Sequence, residues 1–360
     1  MQLADMIPFT RLVAVLLGFW IVVYTLMAAI RTFVLPRGDN VGLTRLVFTA
    51  IGWAFELRAH KATTYAARDR IMALYAPLTL LILPVVWIIL IIIGYTLMFW
   101  GVGVESWYAA FRISGSSLLT LGAFTIDGLA ATILEFSEAT IGLGLVALLI
   151  SYLPTMYAAF SKRETLVTLL EVRAGSPPSA ITLIERAHRI RGLDYLRELW
   201  TQWEIWFTEI DESHTSLAPL NFFRSPQPDR SWLTAAGTIL DAAALVHAVV
   251  DVPRNAESQL CLRAGYLALR HISEFFRITY DHHPAPTDPI SITRQEFDEA
   301  CDELATAGVP LRADRDQAWK DYAGWRVNYD SVLLQLADMV MAPYAPWISD
   351  RGIRSNPRRR

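Results

Sequence analysis

Three apolar stretches sit in the first 163 residues of this 360-residue chain, and nothing like them follows. They run from Leu12 to Ile30, from Leu74 to Trp100 and from Ala139 to Phe160. Each approaches or exceeds the ~20 residues that a helix needs to cross a bilayer. From Val85 to Ile93 no side chain is polar apart from the Trp87 indole. In hydrocarbon every backbone N–H and C=O must be satisfied within the chain, so stretches of this kind cross a membrane as helices. The first half is therefore expected to be an all-α membrane protein with three transmembrane helices.

The second half has a different character. Residues 1–163 carry 11 Lys/Arg against 8 Asp/Glu, whereas residues 164–360 carry 21 against 27, so the long apolar runs and the acidic excess are segregated. Amphipathic helical patterns are expected at 161–173, 179–190, 193–212, 231–250, 256–280, 293–307 and 315–341. They are separated by turn signals such as Gly175-Ser176-Pro177-Pro178, Val252-Pro253 and Gly308-Val309-Pro310. Thr293 followed by Glu296 reads as a capping box, and Ser179 before Thr182 as a helix start. No alternating strand pattern competes, so this half is expected to be an all-α bundle with its own core.

Several function classes find no support. An acidic half without a basic face argues against nucleic-acid binding. Cys261 and Cys301 are well separated and form no CxxC, which fits small buried apolar residues. No HExxH, Cys/His metal spacing, P-loop or dinucleotide fingerprint is present, so neither an enzyme, a bound metal nor an organic cofactor is expected. Asp281-His282-His283 reads as an exposed turn. Trp200, Trp203, Trp206 and Phe207 recur at helical spacing and read as core, and the arginine-rich tail Arg354 to Arg360 reads as solvated.

Direction across the bilayer follows from Lys and Arg. The segment between the first and second spans carries Arg31, Arg37, Arg45, Arg58, Lys61, Arg68 and Arg70. The segment between the second and third carries only Arg112, against Glu105, Asp127, Glu135 and Glu138, and Lys162 and Arg163 follow the third. Positive charge marks the cytoplasmic side. The expected topology is multi-pass in the plasma membrane, with the N-terminus outside and residues 164–360 cytoplasmic. Val47, Ile51, Ala54, Phe55 and Leu57 fall on one helical face, which either lies on the inner membrane surface or packs on the soluble half.

Between the second and third spans lies Ser114-Gly115-Ser116-Ser117-Leu118-Leu119-Thr120-Leu121-Gly122-Ala123-Phe124-Thr125. Trp107 to Leu119 is too short to cross and return, so a short re-entrant helix is expected there, its negative dipole end favouring a cation. Ser114, Ser116 and Ser117 load that end with hydroxyls, and Gly122 can adopt positive φ. Irregular backbone at membrane depth is tolerated where protein covers it or where it lines a watery cavity. Threonine hydroxyls and carbonyls from several subunits can replace the water shell of a cation.

At these residues the chain resembles the pore module of the potassium-channel superfamily. That resemblance implies an outer helix at Leu74–Trp100, a pore helix at Glu105–Leu119, a filter at Thr120–Thr125 and an inner helix at Ala139–Phe160. Thr120, Leu121 and Gly122 match the family's first three filter positions, whereas Ala123, Phe124 and Thr125 stand where it has an aromatic residue, a second glycine and an aspartate. Gly142, Gly144 and Pro154 occupy an inner helix that bends in the family to form a gate. The resemblance implies a homotetramer, passive conduction of a monovalent cation with potassium the first expectation, and no partner beyond lipid, the ions and other copies of the chain.

The expected division is an N-terminal span at 1–30, a basic cytoplasmic linker at 31–73, a pore module at 74–163 and a helical cytoplasmic domain at 164–360. The rival reading is a non-conducting membrane-anchored scaffold or sensor. Arg112 within the pore helix is expected either to snorkel to the outer interface or to pair with Glu105, Asp127 or Glu135.

Overall fold

The structure, a computed structural model, describes residues 2–33, 42–253 and 256–351. Arg37 and the tail Arg354 to Arg360 lie outside the described residues. Among the described residues the fold is helical throughout, with no strand and a single isolated bridge between Val250 and Leu311. Among the described residues three helices are long and apolar enough to cross a membrane. The chain divides into two units: residues up to Arg58 with Leu74–Tyr157, and Ala59–Ala73 with everything from Ala158 onward.

The first unit is built on α1 (Gln2–Phe33), α2 (Gly42–Ala59), α4 (Tyr75–Gly101), α5 (Trp107–Leu118) and the first part of α6 (Leu129–Ala174). Helices in lipid gain nothing from expelling water, so they associate where small residues let their backbones meet. Gly18 of α1 and Gly94 of α4 do this: a methyl on Gly18 would lie 2.3 Å from the Gly94 carbonyl oxygen. The same pair of helices meets again where Gly101 faces Arg11 and Val15, so α1 and α4 run antiparallel. The buried face of α4 (Leu83, Trp87, Ile91, Tyr95, Met98 and Phe99) forms the core with Ala110 and Ile113 of α5. Its opposite face, with Leu81, Val85, Ile89 and Ile93, is apolar and exposed. Phe48 and Phe55 of α2 pack their rings against Tyr75, whose hydroxyl donates to the Phe48 carbonyl at 3.1 Å. One face of α2 is thus used at the start of α4, and Leu46, Trp53 and Leu57 remain exposed.

The three apolar helices are covered unequally. Of the most apolar window in each, 33% is buried for α1, 39% for the segment containing α4, and 11% for α6. Within one chain α6 is therefore left almost bare along its apolar length. It is also longer than the sequence pattern predicts. The span expected at Ala139–Phe160 and the amphipathic helix expected at 161–173 form one continuous helix of 46 residues, with Pro154 inside it. The chain from Ala158 to Ala174 belongs to the second unit.

The second unit comprises α3 (Tyr65–Met72), the end of α6, α7 (Ala180–Ile190), α8 (Leu196–Ser216), α9 (Trp232–Ala248), α10 (Ala256–Phe275), α11 (Arg294–Thr306), α12 (Arg315–Arg326) and α13 (Asp330–Met339). Helix α9 is rich in alanine and apolar all round, which makes it the central helix. Every residue from Trp232 to Ala248 except His247 is buried. Around it pack α7, α8, α10, α12 and α13. The Trp200, Trp203, Trp206 and Phe207 stripe of α8 lies wholly in this core. The expected helix at 315–341 is two helices, because Val327–Tyr329 forms a turn that brings Arg326 and Asp330 together. The capping box at Thr293 and Glu296 forms as its sequence predicts.

Two buried arginines organise the polar interior of this unit. Arg326, 0% exposed, donates to Asp241 (2.5 Å), Asp330 (2.7 Å) and the Trp347 carbonyl (2.7 Å), while Tyr329 donates to the same Asp241 at 2.8 Å. Arg163, on the part of α6 in this unit, donates to Glu164, to the carbonyls of Leu220 (2.9 Å) and Phe223 (2.8 Å), and to His214 Nε2 at 3.2 Å. A guanidinium can only donate, so His214 is neutral with its hydrogen on Nδ1. Burial, and then the neighbouring Arg163, push its pKa well below the ordinary 6.5. Helix α3 is tied in by Arg224, which donates to Asp69 at 2.6 Å and to the Val340 carbonyl at 2.7 Å. Glu296 is partly buried, which alone would raise its pKa, but the hydrogen bonds from Arg351 and Thr293 hold it down at about 2.

His214 and Glu296 both make the stability of the second unit depend on acid pH. Below pH 6.5 the unfolded chain takes up a proton that folded His214 refuses, so stability falls with pH. Between 4.5 and about 2 the contribution of ionised Glu296 is lost in turn. The thermal midpoint of the full chain in detergent, followed by near-ultraviolet circular dichroism, should fall in two stages on acidification. The His214→Gln variant should lack the first stage, and Glu296→Gln should lack the second.

Candidate functional site

The region joining α4 to α6 holds the features that no ordinary connection needs. Ser106 begins α5 by accepting the Ala109 N–H at 3.1 Å, an N-cap that stops the preceding turn and starts a new helix. Twelve residues later α5 ends at Leu118, with Ala110, Ile113, Ser114, Ser116 and Leu118 buried. Its C-terminal turn rests on α6 at Gly142, where a methyl would lie 2.0 Å from the Leu118 carbonyl oxygen. Only a residue without Cβ lets the end of α5 come this close.

Ser114 points back into the protein. Its hydroxyl donates to Glu138 Oε1 at 2.6 Å and lies 3.3 Å from the Ile92 carbonyl, so one serine bridges α4, α5 and α6. Glu138 is 0% exposed, and its second oxygen has no hydrogen-bond partner among the described residues. One residue earlier on α6, Ser137 shares a hydrogen bond of 2.8 Å with Tyr95.

The loop after α5 is organised by Ser116. Its carbonyl accepts the Leu121 N–H at 2.8 Å, and its hydroxyl oxygen accepts the N–H groups of both Ala123 (2.9 Å) and Phe124 (3.1 Å). Thr120 N–H goes to the Ser117 carbonyl at 3.0 Å. In a trans peptide the carbonyl of one residue points opposite to the N–H of the next. The carbonyls of Thr120, Gly122 and Ala123 are therefore directed away from Ser116. Successive carbonyls can share one side only if the backbone alternates its hand, and Thr120 (φ 54°) and Gly122 (φ 64°) are both left-handed. For a β-branched threonine this conformation costs on the order of 1–3 kcal/mol. Residues Leu119 to Thr125 are exposed in the single chain. Further along, Glu135 accepts the Ile126 N–H at 3.1 Å and closes the loop onto α6.

The residues singled out in the sequence thus divide into groups. Thr120, Leu121, Gly122, Ala123, Phe124 and Thr125 form one exposed loop whose inner hydrogen bonds all reach the end of α5. Ser116 holds that loop, Ser117 contributes a carbonyl, and Ser114 instead ties α5 to its neighbours. Gly142 lies beneath the end of α5, while a methyl on Gly144 would meet nothing within 4 Å. Pro154 lies inside unbroken α6, where it supplies no N–H to the helix. Arg112 forms no ion pair with a carboxylate among the described residues: its guanidinium carbon lies 3.6 Å from the centre of the Phe124 ring. Phe124 is not in the left-handed region, so the strain that a side chain at a second-glycine position predicts falls on Thr120 instead.

Sequence reasoning missed Glu138, counting it only as a negative charge outside the third span. Its signal was there: with Glu135 it is one of two carboxylates near the start of a helix that has no further acidic residue until Glu164. In the second unit, Asp241 is engaged by Arg326, His271 pairs with Asp211 at 2.8 Å, and His282 lies 3.9 Å from Glu274. No group of three or more His, Cys, Asp or Glu among the described residues is placed to hold a metal ion. No protein-family model matches the chain, and no curated protein or solved structure is significantly similar to it.

The contact at Gly142 makes a direct prediction. Gly142→Ala must force α5 and α6 apart and should cost about 1–3 kcal/mol, as overpacking does. Gly144→Ala, made into open space, should leave stability unchanged or raise it by up to ~1 kcal/mol through helix propensity. Thermal unfolding of the two variants in detergent distinguishes them.

Proposed function

We propose that the chain is one subunit of a potassium-channel-like cation pore, a homotetramer that conducts ions passively across the plasma membrane. In this reading α1, α4 and α6 span the bilayer, α5 is re-entrant, and residues 120–125 line the constriction. The N-terminus lies outside and the second unit is cytoplasmic, where it assembles or gates the pore. The observation that carries the reading is the loop's polarity: amides of residues 121, 123 and 124 turned to Ser116, carbonyls of residues 120, 122 and 123 turned to the exposed side. Carbonyls presented together are what a dehydrated cation requires.

The bare third span supports the same reading. A helix of 46 residues with 11% of its most apolar window buried has its lateral contacts still to make. One pore module per chain cannot close a ring, and copies arranged about an axis would give α6 neighbours and bring the loops together. The C-terminal end of α5 adds its negative dipole. The permeant species is a monovalent cation, with potassium the first expectation from Thr120, Leu121 and Gly122. Neither an enzymatic step nor a bound cofactor enters this reading.

Flux from proteoliposomes containing the purified chain tests it. Potassium-preferring flux that disappears in Gly122→Val is the expected result, because valine cannot hold the left-handed φ of Gly122. No flux from a chain that is monomeric in nanodiscs would replace the pore by the non-conducting membrane-anchored scaffold.

A further inference from the structure

Arg112 and Phe124 are the two residues that fit a cation pore worst: a fixed positive charge on the short helix, and a bulky side chain within the loop. The structure brings them together. Tyr108, Arg112 and Ser116 recur every four residues and so form one stripe on α5. The Arg112 guanidinium lies against the Phe124 ring at 3.6 Å and within 5.3 Å of the Tyr108 ring centre. One turn further on, the Ser116 hydroxyl holds the N–H groups of Ala123 and Phe124. Phe124 is thereby gripped twice by the same stripe, at its backbone by Ser116 and at its ring by Arg112. Among the described residues no carboxylate lies within ion-pair distance of Arg112, so the ring faces are its counterpart.

We infer that Arg112 is a positioning residue for the proposed pore, clasping Phe124 so that the Gly122 and Ala123 carbonyls stay on the exposed side. The inference rests on the pore reading for its functional meaning, but not for its geometry. The Ala123 and Phe124 amides face Ser116 only while those peptides keep their orientation. Rotating either one would turn a carbonyl back toward α5. A loop with a glycine at position 124 would have no ring for α5 to hold; here the ring provides the anchor. A planar guanidinium is the cation suited to this, since it stacks on an aromatic face and is weakly hydrated.

The test uses the full chain in liposomes with Thr125→Cys as a reporter, read by the rate of modification with a membrane-impermeant thiol reagent. Cys261 and Cys301 are buried and free, and the chain without the reporter supplies their background. Arg112→Gln and Phe124→Leu should each raise the rate by about two- to fivefold, in line with loss of a solvent-exposed cation–π contact. The double variant should react no faster than either alone, and Phe124→Tyr, which keeps a ring face, should react at the parental rate. In the same preparations the potassium-over-sodium flux ratio should fall in Arg112→Gln and be retained in Phe124→Tyr. Unchanged rates, or effects that multiply in the double variant, would overturn the clasp. If the parent conducts no ion at all, the pore reading fails while the modification rates still decide whether Arg112 holds the loop.

Discussion

Two backbone N–H groups converge on the hydroxyl of Ser116, and the arrangement between the second and third apolar helices depends on that convergence. A chain that leaves helical geometry must find new partners for its amides. Here the partners come from the end of the helix just completed. Once the amides are turned inward, trans peptide geometry turns the carbonyls outward, and the left-handed conformations of Thr120 and Gly122 follow. The loop's shape is the consequence of a satisfaction problem solved with one serine.

The supports of that serine are equally specific. Ser114 and Glu138 fix the depth of α5 against α4 and α6, and Gly142 allows the α5 carbonyl terminus to touch α6. A fully buried carboxyl is an expensive way to join helices, and apolar residues of similar volume often do as well for stability. Its presence behind the loop accords with a site where geometry matters more than stability. The second unit shows the same strategy. Arg326 and Arg163 are buried with every guanidinium nitrogen hydrogen-bonded, so removing one partner of either network leaves a buried charge less compensated.

Much of the fold was legible because hydrophobic period carries it directly. The three long apolar helices, the short helix after Ser106 and most helices after Ala174 fall where the apolar pattern puts them. Where the pattern failed, the reason is physical. The change from apolar to amphipathic character at Ser161 looks like a helix boundary, but the backbone has no reason to stop there, and α6 continues to Ala174. The break between α12 and α13 was hidden because Val327, Asn328 and Tyr329 carry no strong turn signal, while the gain from closing Arg326 onto Asp330 and Asp241 appears only in three dimensions. The candidate site was legible as a segment and not as a mechanism. Ser116 was one hydroxyl among four, Glu138 one charge among the flanks, and Arg112 and Phe124 two separate departures. Only packing shows that the last two answer each other.

The central claim is that the carbonyls of Thr120, Gly122 and Ala123 face a cation on an axis shared by several copies of the chain. Crystals of the assembled protein grown with thallium as the permeant-ion substitute would test this by anomalous scattering. The account predicts anomalous peaks on the symmetry axis, at coordination distance from those carbonyls. Scattering confined to the protein surface, or an assembly in which the loops face lipid or protein and not one another, would contradict it.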